Sequence, residues 1–236
     1  QRFPSWKLLT YIVISLMIGF SAFYAVAFVS IYHRADPRTQ ASKWIYEHVA
    51  PGSTLLTEVW EFVSIVPVPG HDPGQYPAQE LDLYSSDSTE KIRKLARQLN
   101  AGDVIFLATK RLYGSILRVP ERYPLTIHYY KQLFDGNLGF TPVKPFTNYP
   151  SLLGITFNDD FADESFSVYD HPKVILFQKT RNFSENELYH RIIAAPRVKD
   201  PALLLKRLLA FPVLEGKEGV SAVSPSEGIF KKRSEW

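Results

Sequence analysis

The 236-residue sequence contains no cysteine and only one methionine. Without thiols, disulfide bonds, thiolate metal sites and cysteine nucleophiles are excluded in any compartment. The short motifs of common reactions are also absent, including a Gly-rich phosphate loop, His-Glu-x-x-His and Gly-x-Ser-x-Gly. The six histidines are scattered along the chain, so no local ligand set forms. We therefore predict no metal site and no cofactor.

The body of the chain also lacks an excess of positive charge. The formal net charge of +3 arises at the ends, from Arg2 and Lys7 and from a tail, Lys231 to Glu235, that carries a net charge of +2. The segment from Leu8 to Phe230 therefore has a net charge of −1. This balance excludes a nucleic-acid-binding face, and we predict no nucleic-acid partner.

Charge is wholly missing from Leu8 to Tyr32, a run of 25 residues. A membrane-spanning helix needs about 20 apolar residues at 1.5 Å per residue. Trp6, Tyr11, Tyr24 and Tyr32 lie towards the ends, where aromatic rings favour the membrane interface. The sequence thus predicts a transmembrane helix within residues 1–33, with the lipid bilayer as its partner.

Two alternatives fit this run less well. A cleaved signal peptide has an apolar stretch of about 7 to 15 residues and a small-residue cleavage site, and the exit Ser30 to Arg34 has no such site. A buried core helix would need a domain able to surround about 37 Å of apolar surface. Arg2 and Lys7 on one side, and Arg34 and Arg38 on the other, leave the orientation open.

Residues 34–198 are predicted to form one α/β domain with a mixed, mostly parallel sheet flanked by helices. Strand and helix patterns alternate, and such alternation implies parallel strands joined by right-handed crossovers. The predicted elements are a helix opened by Asp36-Pro37, a strand over Thr54–Val63, a helix begun by an Asp87/Glu90 capping box, a strand over Val104–Ala108, a helix over Leu125–Phe134 and a strand over Phe140–Thr147.

The last third of the chain carries four further predictions. Ser165–Tyr169 and Lys173–Lys179 flank Asp170-His171-Pro172 and indicate an antiparallel hairpin. Glu185–Ala194 is predicted to be helical. Residues 199–215 hold an apolar helix, which either packs on the domain or lies at the membrane interface, and residues 216–236 are predicted to form a flexible basic tail.

The densest polar and aromatic stretch begins at the carboxyl end of the Val104–Ala108 strand, where open α/β sheets place their ligand crevices. Arginine pairs with phosphate through two hydrogen bonds, and tyrosine rings stack. The candidate ligand-binding residues for a phosphate or sugar are Lys110, Arg111, Tyr113, Arg118, Arg122 and Tyr123. The competing interpretation is that these side chains attach a long surface loop to its domain.

Two acidic groupings are weaker candidates. Asn158, Asp159, Asp160, Asp163 and Glu164 supply oxygen ligands for Ca²⁺ but lack the spaced loop with a central glycine, which favours a solvated turn. Glu58 and Glu61 are close enough to suggest a carboxylate pair for acid/base catalysis. Strand alternation points them to opposite faces, so we assign no catalytic residue.

Three segments, Arg38–Trp60, Leu83–Phe140 and Glu164–Thr180, resemble a family of large polytopic proteins of Chloroflexi and archaea, the YYY membrane protein family. The resemblance is most specific at RYPLTIHYY and at FSVYDHPKV. That family is similar to lipid-carrier-dependent glycosyltransferases of the protein-mannosyltransferase type. It tends to show Trp-Asp-Asp where this chain has Trp60-Glu61-Phe62, so no family role is carried over to Trp60.

The resemblance implies an extracytoplasmic domain that follows the last membrane helix of a glycosyltransferase-like protein. It would bind an acceptor or a lipid-linked sugar phosphate, and the catalytic carboxylate would lie in an earlier loop outside this chain. The alternative function is a non-enzymatic, single-span accessory or scaffold subunit of a larger membrane complex. A third reading, a soluble enzyme with a signal anchor, has no nucleophile or cofactor motif to support it.

Overall fold

The structure, a computed structural model, describes residues 5–60, 65–143, 145–194 and 197–211. Glu61 and the predicted basic tail lie outside the described residues. The chain begins with helix α1, Ser5–Val29, which continues as a 3-10 turn over Ser30–His33. Among the described residues, α1 is the one helix long and apolar enough to cross a membrane, as predicted.

A five-stranded sheet forms the centre of the domain. Its strands are β1 Leu55–Glu58, β2 Ala78–Leu81, β3 Val104–Leu107, β4 Phe140–Pro142 and β7 Ile175–Lys179. Their order across the sheet is β2-β1-β3-β7-β4. Strand β1 pairs in parallel with β2 and β3, and β7 runs antiparallel to β3 and β4. The mixed sheet is as predicted.

Helices cover both faces of this sheet, which explains the continuous apolar run of β3. Ile105 belongs to a larger core, which includes residues of most of the helices. Val104 and Phe106 face a smaller core on the other side of the sheet, with Ala41 and Ile45. The helices are α2 Pro37–His48, α3 Thr89–Ala101, α4 Arg111–Ile116, α5 Pro124–Phe134, α6 Glu164–Ser167, α7 Glu185–Ile193 and α8 Pro201–Leu209.

Two local predictions at helix starts have different outcomes. The Asp36 carboxylate accepts hydrogen bonds from the backbone N–H groups of Arg38 and Thr39 and caps α2, as predicted. The predicted Asp87/Glu90 capping box is wrong. Ser88 caps α3 by accepting from Lys91 N, which leaves Asp87 free to bond elsewhere.

The predicted hairpin around Asp170-His171-Pro172 is also wrong. Its first half is the helical turn α6, because the Asp163 carboxylate accepts from Ser165 N and starts a helix there. Its second half is β7, which pairs with β3 and β4 instead. The hairpin in this region lies earlier, where β5 Ser151–Leu152 pairs with β6 Ile155–Thr156.

Helix α8 packs on the domain along its apolar side, where Leu204, Leu208 and Leu209 are buried. Lys173 Nζ donates to the carbonyl oxygen of Leu209 at the end of this helix. Arg207 pairs with Asp135 at the end of α5. In the described residues α8 therefore has the packed arrangement, with Leu203 exposed.

Candidate functional site

The carboxyl ends of the parallel strands β1, β2 and β3 lie at one edge of the sheet. Strand β2 lies on one side of β1, and β3 lies on the other. The order in which the strands are added to the sheet therefore reverses between β1 and β3. Ligand crevices of open α/β sheets form at such a point. Glu58 ends β1 and Lys110 follows β3, which places both at this edge.

Beneath this edge of the sheet, the carboxylate of Glu58 is buried together with the side chains of Tyr129 and Tyr130. Glu58 is fully buried, and the Tyr130 hydroxyl donates to its Oε1 at 2.6 Å. Burial, with the nearby Glu58 charge, raises the pKa of Tyr129 and of Tyr130 well above the usual value. Both tyrosines are therefore neutral, and Tyr130 acts as a donor. Because solvent does not reach Glu58, this cluster closes the crevice instead of presenting a base.

Lys110 and Arg111 point to the acidic segment 159–164. Lys110 Nζ donates to the carbonyl oxygens of Asp160 at 2.9 Å and Ala162 at 2.8 Å. Burial lowers the pKa of Lys110, against the opposing effect of the nearby acidic residues. Arg111 Nε lies 3.1 Å from Glu164 Oε1. These two predicted ligand residues thus attach the acidic segment to the domain.

The two predicted tyrosines are interior residues. Tyr113 and Tyr123 are both fully buried, and the Tyr123 hydroxyl donates to the carbonyl oxygen of Tyr84 at 2.9 Å. Tyr113 packs edge-on against Tyr130, with ring centroids 6.1 Å apart. Neither ring offers a free face for stacking on a ligand, and both belong to the packing beneath the surface.

Arg118 and Arg122 remain exposed, on the connection between α4 and α5. They do not share one surface. Hydrogen bonds from Ser165 hold the pKa of Asp163 below its usual range, and the Arg118 charge contributes, which places Arg118 on the side of the acidic segment. Arg122 instead lies over two rings, 5.1 Å from the Tyr123 centroid and 5.8 Å from the Tyr84 centroid.

Trp60 and Arg122 are exposed, and both lie against the partly exposed ring of Tyr84. We call these three residues the Arg122 shelf. The Trp60 and Tyr84 ring centroids are 4.7 Å apart, and Trp60 is 46% exposed. Trp60 has a positive φ of 68°, a conformation that costs a non-glycine residue free energy and is found at binding and catalytic sites. Its backbone N–H donates to Glu80 Oε1 at 3.3 Å, which helps hold that conformation.

Asp87 supports the shelf from below, a role that its sequence position did not reveal. Its carboxylate accepts hydrogen bonds from the backbone N–H groups of Leu125 and Thr126, at 2.6 and 3.0 Å, and so caps α5 directly after Arg122 and Tyr123. Lys91 Nζ pairs with the same carboxylate at 3.0 Å and lies 5.5 Å from the Tyr123 centroid. The buried pair therefore fixes the start of α5 and the ring under Arg122.

The acidic segment is occupied by protein groups. Asp160 is buried and pairs with Lys173 Nζ at 2.8 Å, and Asp159 lies 2.7 Å from His171 Nε2. The prediction of a solvated turn is therefore wrong at Asp160. Among the described residues no group of three or more His, Asp or Glu side chains is arranged to hold a metal ion.

The six predicted ligand residues thus separate into three places: the acidic segment, the interior and the shelf. The signal that sequence reasoning missed is Trp60 with Tyr84, two aromatic residues that come two and three residues after the ends of the neighbouring parallel strands β1 and β2. No protein family, curated protein or solved structure matches this chain.

Proposed function

We propose that this chain is the membrane-anchored extracytoplasmic domain of a glycosyltransferase-like membrane protein, and that it binds a sugar phosphate at the Arg122 shelf. The observation that carries the proposal is the shelf itself, where the ring of Tyr84 contacts both the exposed Trp60 and the guanidinium of Arg122. The sequence resemblance supports the membrane setting and the lipid-linked donor class.

The chemistry of the shelf suits both halves of such a ligand. The flat apolar face of Trp60 can pack against the C–H face of a sugar ring and exclude water from it. Arg122 has no carboxylate partner among the described residues, so its guanidinium can bind a phosphate through two hydrogen bonds. Stacking on Tyr84 and Tyr123 orients that guanidinium in advance.

The same geometry argues for binding without catalysis at this sheet edge. Glu58 is the buried carboxylate of the crevice, and it is enclosed by Tyr130 and neighbouring core residues. A general acid or base must come within hydrogen-bond reach of the substrate. We therefore propose that the catalytic carboxylate lies outside this chain.

The test uses the 236-residue chain in detergent micelles, labelled with 5-fluorotryptophan. Binding is monitored by ¹⁹F NMR as a ligand is added. Glucose 1-phosphate and mannose 1-phosphate are the probes, with the methyl glycosides as neutral counterparts. The Trp60 signal should shift on titration, whereas the signal of Trp44, which stacks on His48 of α2, should not. Arg122→Ala should weaken binding of the phosphates about 10-fold or more, because a charge-assisted hydrogen bond contributes roughly 1.5–3 kcal/mol.

Arg118→Ala is the matched control, since it removes an exposed arginine from the same connection without touching the shelf. It should leave phosphate binding unchanged, and Arg122→Ala should leave the weaker binding of neutral glycosides unchanged. Equal losses in the two arginine variants, or equal shifts of Trp44 and Trp60, would contradict binding at the shelf.

A scaffold subunit of a membrane complex is the second candidate. It is favoured by the internal use of Lys110, Arg111, Tyr113 and Tyr123, which attach segments of the domain to one another. On this alternative, the chain copurifies with other membrane subunits, and substitutions at the shelf change neither complex assembly nor sugar-phosphate binding.

A further inference from the structure

The β5–β6 hairpin packs against the long apolar helix α1. The ring of Phe157, directly after β6, contacts Phe20, Phe23 and Tyr24, with centroid distances of 6.4, 6.2 and 5.2 Å. All three residues lie within α1 and not at its end. The hairpin therefore runs alongside the helix instead of stopping at the 3-10 turn where the domain begins.

The position of this contact along α1 indicates its depth. Lys7 limits the apolar run on one side, and a hydrocarbon core of about 30 Å takes about 20 residues of helix. Counted from Leu8, that length extends to Ala27. Phe20 to Tyr24 then lie three to seven residues inside the boundary, or roughly 5–10 Å at 1.5 Å per residue. Interfacial segments of membrane proteins reach about the same depth, 5–10 Å.

The composition of the hairpin matches that environment. Residues 145–158 contain no Asp, Glu, Lys, Arg or His. Leu153 is 86% exposed at the turn and Ile155 is 53% exposed on β6. Leu153 and Gly154 both have positive φ, 51° and 83°, in a two-residue turn that favours Asn-Gly. A leucine is strained there, and in water its exposed side chain adds nothing that offsets the strain.

Aromatic side chains surround the same end of the domain. Tyr32 and Tyr169 are largely exposed, and the Tyr32 hydroxyl donates to Asp170 at 2.8 Å. Phe166 is partly exposed beside Phe28 of α1, with centroids 5.6 Å apart. Tyrosine rings collect at the membrane interface because they carry an apolar body and a polar tip.

We propose that the β5–β6 hairpin inserts its Leu153-Gly154 turn into the acyl boundary of the bilayer that α1 crosses. It thereby forms a second, shallow membrane anchor that sets the orientation of the domain. Lipid is the occupant that the shared contact with α1 favours, because Phe157 packs on that apolar helix while Leu153 and Ile155 of the same hairpin remain exposed. The proposal rests on α1 crossing a membrane and is independent of the sugar-phosphate site.

The chain has no cysteine, so single labelling sites can be introduced without other changes. Leu153→Cys is labelled with bimane in the 236-residue chain and reconstituted in phosphatidylcholine vesicles. Lipids with a doxyl group near the acyl boundary should quench the bimane at least 3-fold more than at the control site, and aqueous iodide should quench it less. Leu203→Cys on α8 is the matched control, an exposed leucine on a helix that packs against the domain.

Ile155→Cys gives a second reporter on the same hairpin and should follow Leu153→Cys. Equal access of iodide to positions 153 and 203, without lipid quenching at 153, would overturn the insertion. So would protection from both quenchers, since that result means that protein, such as a second copy or another membrane segment, covers the turn. Recovery of the unlabelled chain in the water phase would also overturn the proposal, because the proposal requires α1 to cross the bilayer. Titration of the same labelled variants with a sugar phosphate measures binding at the Arg122 shelf, so a failure of that proposed function can be distinguished from a failure of hairpin insertion.

Discussion

The buried pair of Asp87 and Lys91 is expected to contribute more to stability than either an exposed ion pair or a helix cap alone. The two side chains are 6% and 7% exposed. Asp87→Ala removes the cap of α5, which contributes about 0.5–2 kcal/mol. It also leaves the Lys91 ammonium buried without its counterion, and breaking such a pair costs about 3–5 kcal/mol.

Other hydrogen bonds of Lys91 place the expected loss of unfolding free energy towards the lower end of the range obtained by adding these two contributions. Lys91 Nζ still donates to the carbonyl oxygens of Leu83 and Ser85, at 2.8 and 2.7 Å, after the carboxylate is gone. We expect Asp87→Ala to lower the free energy of unfolding by about 3.5–4.5 kcal/mol. In Asp87→Ala/Lys91→Met the stranded charge is absent, so the double variant should be at least about 1 kcal/mol more stable than the sum of the single changes predicts.

Urea unfolding of the full chain in dodecyl maltoside, followed by near-ultraviolet circular dichroism, measures these differences. Glu90→Ala is the control, because Glu90 is the exposed residue that the sequence pattern assigned to a capping box. It should change the free energy of unfolding by less than about 0.5 kcal/mol. Single losses that add within about 0.5 kcal/mol, or a loss at Asp87 no larger than at Glu90, would refute the coupling.

Two other predictions concern protonation and backbone conformation. Burial lowers the pKa of His128, against an opposing hydrogen bond with the backbone of Ile192, so the folded chain binds fewer protons than the unfolded chain. Its contribution to stability is therefore complete above about pH 6.5 and is lost as the pH falls below that value. His128→Gln should reduce the decrease in the urea midpoint between about pH 7.5 and 5.5. Gly139 has a φ of 79°, and a Cβ there would lie 2.3 Å from the Arg181 carbonyl oxygen. Gly139→Ala should lower the thermal midpoint clearly more than Gly70→Ala does, because Gly70 has a similar φ of 84° but open space around it. Equal shifts of the thermal midpoint in the two variants would show that the protein relieves the close approach at Gly139 at no cost.

Much of the fold follows from patterns that the chain carries locally. Asp36-Pro37 starts a helix because an aspartate side chain can reach the next N–H groups and proline already has a helical φ. Val104 to Leu107 is a strand covered on both faces, as its unbroken apolar run predicted. The apolar helix α1 follows from 25 residues without charge. In each case the determining groups are neighbours in the sequence.

The candidate site did not follow in the same way. Lys110, Tyr113 and Tyr123 have the residue types of a ligand site, but the fold buries them against segments that lie far away in the chain. Trp60, Tyr84 and Arg122 meet only because β1 and β2 pair in parallel and α5 begins beside them. Residue type alone does not distinguish an exposed guanidinium from one that is already paired.

The sequence by itself determined the apolar helix, the α/β class and most of the helix and strand positions, because hydrophobic period and capping act over a few residues. The tertiary structure decided which polar groups are used internally. Asp87 caps a helix that begins 37 residues later, and the uncharged hairpin lies along α1 although more than 100 residues separate them. Such pairings depend on which surfaces the packed elements bring together, and no local pattern encodes that.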